Sequence, residues 1–257
     1  MRIVLKSKYT EACAWTAEYI ADRIVQFNPD KNRPFILGLP TGSTPLGIYR
    51  ELIQKFQQNL LSFQHVITFN MDEYLGLEEA HPQSYHYFMW ENFFKHIDIP
   101  RENVNILQGK SPNPEKECDL YEKKIADRVE IHLFLGGIGG NGHIAFNEPG
   151  SSFQSRTRLV DLTRETIQAN ARFFDGNLLQ VPSKALSVGI GTIMDAKEVL
   201  LVATGKTKAE AAVNLTEGPV TELVPASALQ LHPRGIFIMD REAAAGLSED
   251  SLRKAEQ

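Results

Sequence analysis

Short apolar runs rich in β-branched residues alternate along the chain with longer stretches of helical period. The runs Arg2–Leu5, Phe35–Leu39, His65–Phe69, Asn103–Leu107, Ile131–Leu135, Ala185–Ile190, Glu198–Ala203 and Gly235–Met239 predict strands. Between them, Tyr9–Phe27, Pro45–Gln58, Ser84–His96, Lys116–Val129, Glu165–Phe174 and Thr207–Thr216 predict helices. Strands that are apolar on both faces, separated by helices, require a mainly parallel sheet covered on both sides. No repeat, low-complexity tract or long Pro/Gly/Ser linker divides the sequence. The pattern therefore predicts one doubly wound α/β domain over residues 1–257.

Composition narrows the class without changing it. With 257 residues, 42% hydrophobic and 23% charged, the chain can bury a large core unaided. A formal charge of −5 and the lack of a long basic run argue against nucleic acid or an anionic membrane as partner. An anionic small molecule remains open, since a few placed cations suffice to hold one. Cys13 and Cys118 fit no metal-ligand spacing and read as reduced, structural thiols. No apolar stretch reaches the ~18 residues of a membrane span, and Ile3-Val4-Leu5 is too short for a signal-peptide core. A cytoplasmic enzyme is the expectation.

In an open parallel sheet, ligands bind beyond the carboxyl ends of the strands. Three loops there carry chemistry. The first, Leu37-Gly38-Leu39-Pro40-Thr41-Gly42-Ser43-Thr44-Pro45, ends a strand and opens a helix. Gly42 allows close backbone approach, Ser43 and Thr44 supply hydroxyls, and Pro45 suits a first helical turn. Such a helix start can take a phosphate, although the same residues also make an ordinary capped turn. This loop lacks Gly-Lys-Ser/Thr, so it is not a Walker loop.

The second loop, Thr68-Phe69-Asn70-Met71-Asp72-Glu73-Tyr74, places two adjacent carboxylates after a strand. Neighbours on extended chain point opposite ways, so one of them faces a ligand. Partial desolvation would make that carboxylate a general base working near neutrality. A solvated acidic loop is the plainer alternative.

The third loop runs from Gly136 to Gly150 and contains Gly137, Gly139 and Gly142 in G-x-G-x-x-G spacing. A dinucleotide site needs that last glycine to open a sustained helix, whereas Asn147-Glu148-Pro149-Gly150 stops the chain early. The glycines instead expose backbone around Asn141, His143 and Glu148, a set able to form a proton relay. Beyond it, Arg172 and Lys208 read singly as solvated cations. Lys208 gains weight from its place after the strand Glu198–Ala203.

Taken in order, LGLPTGSTP, TFNMDEY, the run from Gly139 to Pro149, SRTR at 155–158, ANARFF at 169–174 and LQLHPR at 229–234 resemble the glucosamine-6-phosphate deaminase family across nearly the whole chain. The resemblance implies a Rossmann-like α/β domain that turns glucosamine 6-phosphate and water into fructose 6-phosphate and ammonia, without metal or organic cofactor. By that match Asp72 is the base moving a proton between C2 and C1. His143 opens the sugar ring, with Glu148 and Asn141 as partners. Gly42, Ser43, Thr44, Arg172 and Lys208 hold the phosphate. A homo-oligomer, hexameric or smaller, is also implied.

The chain departs from the family twice. Position 141 is most familiarly Asp and here is Asn, which can still hold His143 by hydrogen bonding but carries no charge. Hexameric members bind N-acetylglucosamine 6-phosphate at a second, subunit-interface site. Ser151 and Arg158 match that site, but Val160 replaces an expected Lys, and the short tail has Lys254 where an aromatic residue is expected. Weak activation follows as the expectation. The rival enzyme is a 6-phosphogluconolactonase-like hydrolase, whose corresponding loop ends on a Ser-x-Phe-Pro type sequence instead of Phe146-Asn147-Glu148-Pro149. A non-catalytic sugar-phosphate sensor would need a DNA-binding helix-turn-helix for which no residues are spare.

Overall fold

The computed structural model describes residues 1–128 and 130–255. Its centre is a seven-stranded sheet, all pairs parallel, in the order β1-β10-β9-β6-β2-β3-β5. These strands are β1 (Arg2–Lys6), β2 (Phe35–Leu39), β3 (Val66–Asn70), β5 (Val104–Asn105), β6 (Leu133–Gly137), β9 (Val199–Ala203) and β10 (Gly235–Asp240). From β2 the chain winds outward through β3 to β5. It then returns to β6 on the other side of β2 and continues through β9 to β10. The winding direction thus reverses between β2 and β6, the place where doubly wound sheets open a crevice.

Alternation within these strands builds two cores, one per face. Phe35, Leu37, Leu133, Leu135, Leu200, Val202, Ile236 and Ile238 pack with α1 (Tyr9–Phe27), α2 (Pro45–Gln57) and α3 (Tyr85–Asn92). Their neighbours Ile36, Phe134, Leu201 and Phe237 pack with α4 (Pro114–Ala126), α6 (Ile190–Met194) and α7 (Ala209–Thr216) on the other face. Because successive side chains on a strand point to opposite faces, strands apolar at every position demand a helix layer on each side. In α1 the buried set Ala12, Cys13, Thr16, Ala17, Ile20, Ala21 and Ile24 recurs every three or four residues. The helix stops at Asn28, left-handed at φ 50°, whose N–H caps Ile24 and Val25.

A second, three-stranded antiparallel sheet lies outside this frame, ordered β4 (Asp72–Tyr74), β8 (Lys184–Ser187) and β7 (Arg158–Asp161). The sequence pattern predicts Ala185–Ile190 as a strand of the main sheet, and this is corrected. Pairing of Leu186 with Glu73 and Leu159 carries the segment into the small sheet, and Ile190 begins α6. Asp72–Tyr74, expected as loop, is the strand that β8 captures. Strand β7 was not legible in the sequence, since its four residues are half-buried to exposed and lack an apolar run.

Helix boundaries also shift. The expected Ser84–His96 helix breaks at Phe93, φ −145°, leaving a 3₁₀ turn at Phe94–His96. Glu165–Phe174 becomes α5 (Arg164–Asn170) and a 3₁₀ turn at Ala171–Phe173. Lys206–Lys208 form a 3₁₀ turn before α7. The helix expected at Lys116–Val129 starts earlier, at Pro114 under the Asn113 cap; its last predicted residue, Val129, lies outside the described residues. Among the described residues no helix is long and apolar enough to cross a membrane.

Candidate active site

The crevice at the winding reversal is a cavity of about 260 Å³. Its walls come from the loops after β2 (Thr41 to Thr44), β3 (Asp72), β6 (Gly137 to Gly140 and His143) and β9 (Lys208). Residues Arg172 and Phe174, following α5, close one side. The four loops lie at strand carboxyl ends, as the sheet topology requires.

Asp72 is 6% exposed and lines the cavity, while Glu73 points into packed protein, so alternation on extended chain selects one carboxylate as expected. Burial, helped by the neighbouring charge of Glu73, pushes the Asp72 carboxyl well above the ordinary carboxylate range. Its Oδ1 has no hydrogen-bond partner among the described residues. A buried carboxyl that lines the cavity and keeps one oxygen without a partner can take a proton.

His143 sits across the cavity on the glycine-rich loop. Its backbone N–H donates to Asn141 Oδ1 at 3.2 Å, and Asn141 Nδ2 donates to Glu148 Oε2 at 2.9 Å. His143 Nδ1 stands 3.5 Å from the same carboxylate oxygen, an ion-pair distance longer than a good hydrogen bond. Thr163 and Thr166 hydroxyls both reach Glu148 Oε1. Burial would raise the Glu148 pKa, but His143, Thr166 and Asn141 together outweigh it and hold the carboxyl at about 2. Glu148 is therefore a fixed anion that orients the imidazole. Gly139 is required here because a Cβ would lie 2.2 Å from the His143 ring. Asn141 and Glu148 stand behind His143 and are not part of the cavity wall. No helix forms in this loop, which removes the dinucleotide spacing more completely than the sequence alone does.

At the other end, Gly42 adopts φ +103°, which turns the chain into α2. Thr44 makes no side-chain cap bond, so the sequence expectation of an ordinary capped turn is not met. Tyr9, unnoticed in the sequence, holds this loop: its hydroxyl donates toward the Ser43 and Thr44 carbonyls and accepts the Gly47 N–H at 2.9 Å. Nothing local in the sequence signals this contact, which joins residues 38 positions apart. Arg172 and Lys208 face the same cavity. Burial first, then the Arg172 charge, lowers the Lys208 pKa. Like charges on one cavity wall repel, and an anionic ligand bound there would be favoured by both.

Ser151 and Arg158 are brought together away from this cavity. Arg158 Nη2 donates to Ser151 Oγ at 3.3 Å and Nη1 to Asn147 Oδ1 at 2.7 Å. Val160 follows on β7. Residues that sequence reasoning missed at the site are aromatic: Tyr74, Tyr85, Phe88 and Phe174 line the cavity. An aromatic residue in a sequence reads first as core, so only their placement reveals them.

The model of the family described as glucosamine-6-phosphate isomerases/6-phosphogluconolactonase matches residues 7–237. The chain is 57% identical over 253 residues to glucosamine-6-phosphate deaminase of Treponema denticola, covering 98% of this chain and 94% of that protein. Among solved structures, a monomeric glucosamine-6-phosphate deaminase superposes with a TM-score of 0.92 at 44% identity, over 96% of this chain and 100% of the other. A 6-phosphogluconolactonase from Trypanosoma cruzi shares the fold at a TM-score of 0.77 and 22% identity, over 96% and 97% of the two chains. With the match spanning most of its length, the chain belongs to the family of glucosamine-6-phosphate isomerases and 6-phosphogluconolactonases.

Proposed function

We propose that this protein is a glucosamine-6-phosphate deaminase, converting glucosamine 6-phosphate and water into fructose 6-phosphate and ammonia. One juxtaposition carries the reading: a buried carboxyl, a histidine set beside a carboxylate and a pair of cations line one cavity. The Treponema denticola relative carries this activity in its name, and its identity to the chain favours the deaminase over the lactonase reading. The lactonase resemblance lies below the level at which it supports more than fold.

The chemistry divides between the loops. Binding begins at the phosphate, which takes N–H groups and hydroxyls of Gly42, Ser43 and Thr44 and the charges of Arg172 and Lys208. His143, kept in orientation by Glu148 and Asn141, moves the proton between the ring oxygen and the C1 hydroxyl as the sugar opens. Asp72 removes the proton from C2 and returns it to C1. The electron pair left by the C2–H bond forms the C1–C2 enolamine double bond while the C1 carbonyl pair moves to its oxygen, which takes up a proton. Protonation at C1 then leaves a C2 iminium ion, which water hydrolyses to the ketone, releasing ammonia and returning that proton. No step calls on a metal or an organic cofactor. The same reading makes a small cytoplasmic sugar phosphate the partner, with neither nucleic acid nor membrane. Ser151 and Arg158 are read as the remnant of a regulatory site.

The deciding experiment offers the purified protein glucosamine 6-phosphate and, separately, 6-phosphogluconolactone. Ammonia release from the first with no accelerated hydrolysis of the second is the expected result. Lactone hydrolysis without ammonia would overturn the reading.

A further inference from the structure

Glu73 follows Asp72 on β4 and is 1% exposed, yet its carboxylate is fully engaged. Oε1 accepts the N–H groups of Tyr74 at 2.8 Å and Tyr85 at 3.0 Å. Oε2 accepts the N–H of His86 at 3.0 Å, and His86 Nδ1 lies 3.0 Å from the same oxygen. Tyr85 and His86 open α3, and the Ser84 cap hydroxyl reaches only as far as the Tyr87 N–H. The carboxylate from β4 thus takes the two helix donors that the cap leaves free, in the sense that the helix dipole favours. A carboxylate this buried persists only when so bonded, and plain packing would need no charge there.

What this bond network holds in place is a wall of the cavity. Ser84, Tyr85 and Phe88 line it from α3 and its cap. The Tyr85 ring stacks on Phe146, centroids 6.2 Å apart at 9°, and leans on Tyr74 at 4.9 Å. We infer that Glu73 is a positioning residue for the reaction, tying the first turn of α3 to β4 through His86 and fixing the Tyr85 wall against Asp72. The kinetic consequence rests on the proposed deaminase reading; the structural one does not.

A second consequence is electrostatic. The groups facing Asp72 are Glu73 and Tyr74 on β4, Tyr49 from α2, Tyr85 from α3 and Tyr121 from α4, with His143, Arg172 and Lys208 across the cavity. Those facing Glu73 are His86 and, beyond it, Glu79, whose Oε1 is 3.6 Å from His86 Nε2. Glu73 is the neighbouring anion whose charge opposes ionisation of Asp72, so removing that charge makes Asp72 easier to ionise.

The test uses the full chain with Glu73→Gln and Glu73→Asp. Glutamine removes the charge; aspartate keeps it but is too short to span to α3. In Glu73→Gln, kcat should fall at least ~10-fold and the acid limb of its pH profile should move to lower pH. In Glu73→Asp that limb should stay in place. Amide hydrogen exchange at residues 85–87 should quicken in both, relative to amides of the central sheet. A folded Glu73→Gln with an unmoved limb and unchanged exchange at 85–87 overturns the inference. Should Glu73→Gln not fold, unchanged exchange in Glu73→Asp overturns it equally. If the parent protein releases no ammonia, the deaminase reading falls, while the exchange measurement still decides whether Glu73 holds α3.

Discussion

Asp72 carries a conflict between stability and chemistry. Its carboxyl ionises less readily in the folded protein than in the unfolded chain. Between the two pKa values the folded state therefore binds more protons, and its stability falls as pH rises through that window. At neutral pH the burial of this group is a standing cost that function maintains. Asp72→Asn should lower turnover by at least ~10² and raise the melting temperature at pH 7. Turnover assays beside thermal melts check both halves, and near-normal turnover would refute the base assignment. Glu148 has the opposite sign. Its carboxyl is held at about 2 in the folded state, so its share of stability is complete above the unfolded value and is lost as pH falls towards 2. His143→Gln should slow the closed sugar far more than an analogue locked open. Asn141→Asp places a second titrating group beside Glu148 and His143 and should reshape the acid limb of the pH profile. An unchanged limb would show that position 141 is structural only.

At the scale of elements, the phosphate loop and the cation pair come from different segments and meet only across the cavity. Arg172 lies in the 3₁₀ turn after α5, and Lys208 in the 3₁₀ turn before α7. Arg172→Ala or Lys208→Ala should each cost roughly 1.5–3 kcal/mol of binding, read as a KM raised about 10- to 150-fold. Free glucosamine should be a very poor substrate for the parent protein, and its efficient use would refute the phosphate site. Because burial and Arg172 depress the Lys208 pKa, KM should begin to climb at a lower alkaline pH than an ordinary lysine would give. Tyr9→Phe removes the hydroxyl that gathers the Ser43, Thr44 and Gly47 backbone, and should raise KM with little change in kcat.

For the whole molecule, regulation depends on whether a second ligand can favour one global state over another. Arg158 already donates to Asn147 and Ser151, and Val160 adds no charge to the pair. Too little differential binding remains to shift a two-state equilibrium far. Substrate titrations should be hyperbolic or weakly sigmoidal, with less than ~5-fold activation by saturating N-acetylglucosamine 6-phosphate. A steep sigmoid that this ligand converts to a hyperbola would show that Ser151 and Arg158 suffice.

The central strands of the main sheet were legible because burial on both faces makes them apolar at nearly every position, as in Phe35–Leu39 and Val199–Ala203. The loops followed from the fold class: Gly42 to Thr44, Asp72 and His143 all lie beyond strand ends, and the sheet gathers them around one cavity. Short-range signals were enough for these, since periodicity and turn chemistry act within a few residues. The small antiparallel sheet was not legible. Its strand β7 has no apolar run, and β8 reads like a strand of the main sheet until its partners Glu73 and Leu159 are known. Tyr9 on the phosphate loop, Tyr85 at the cavity and Glu73 against α3 act across separations that no local pattern encodes. The sequence determined which residues are candidates for the chemistry and that the central strands are buried on both faces. The tertiary structure decided which of them meet, because pairing partners and cavity walls are set by contacts between distant segments.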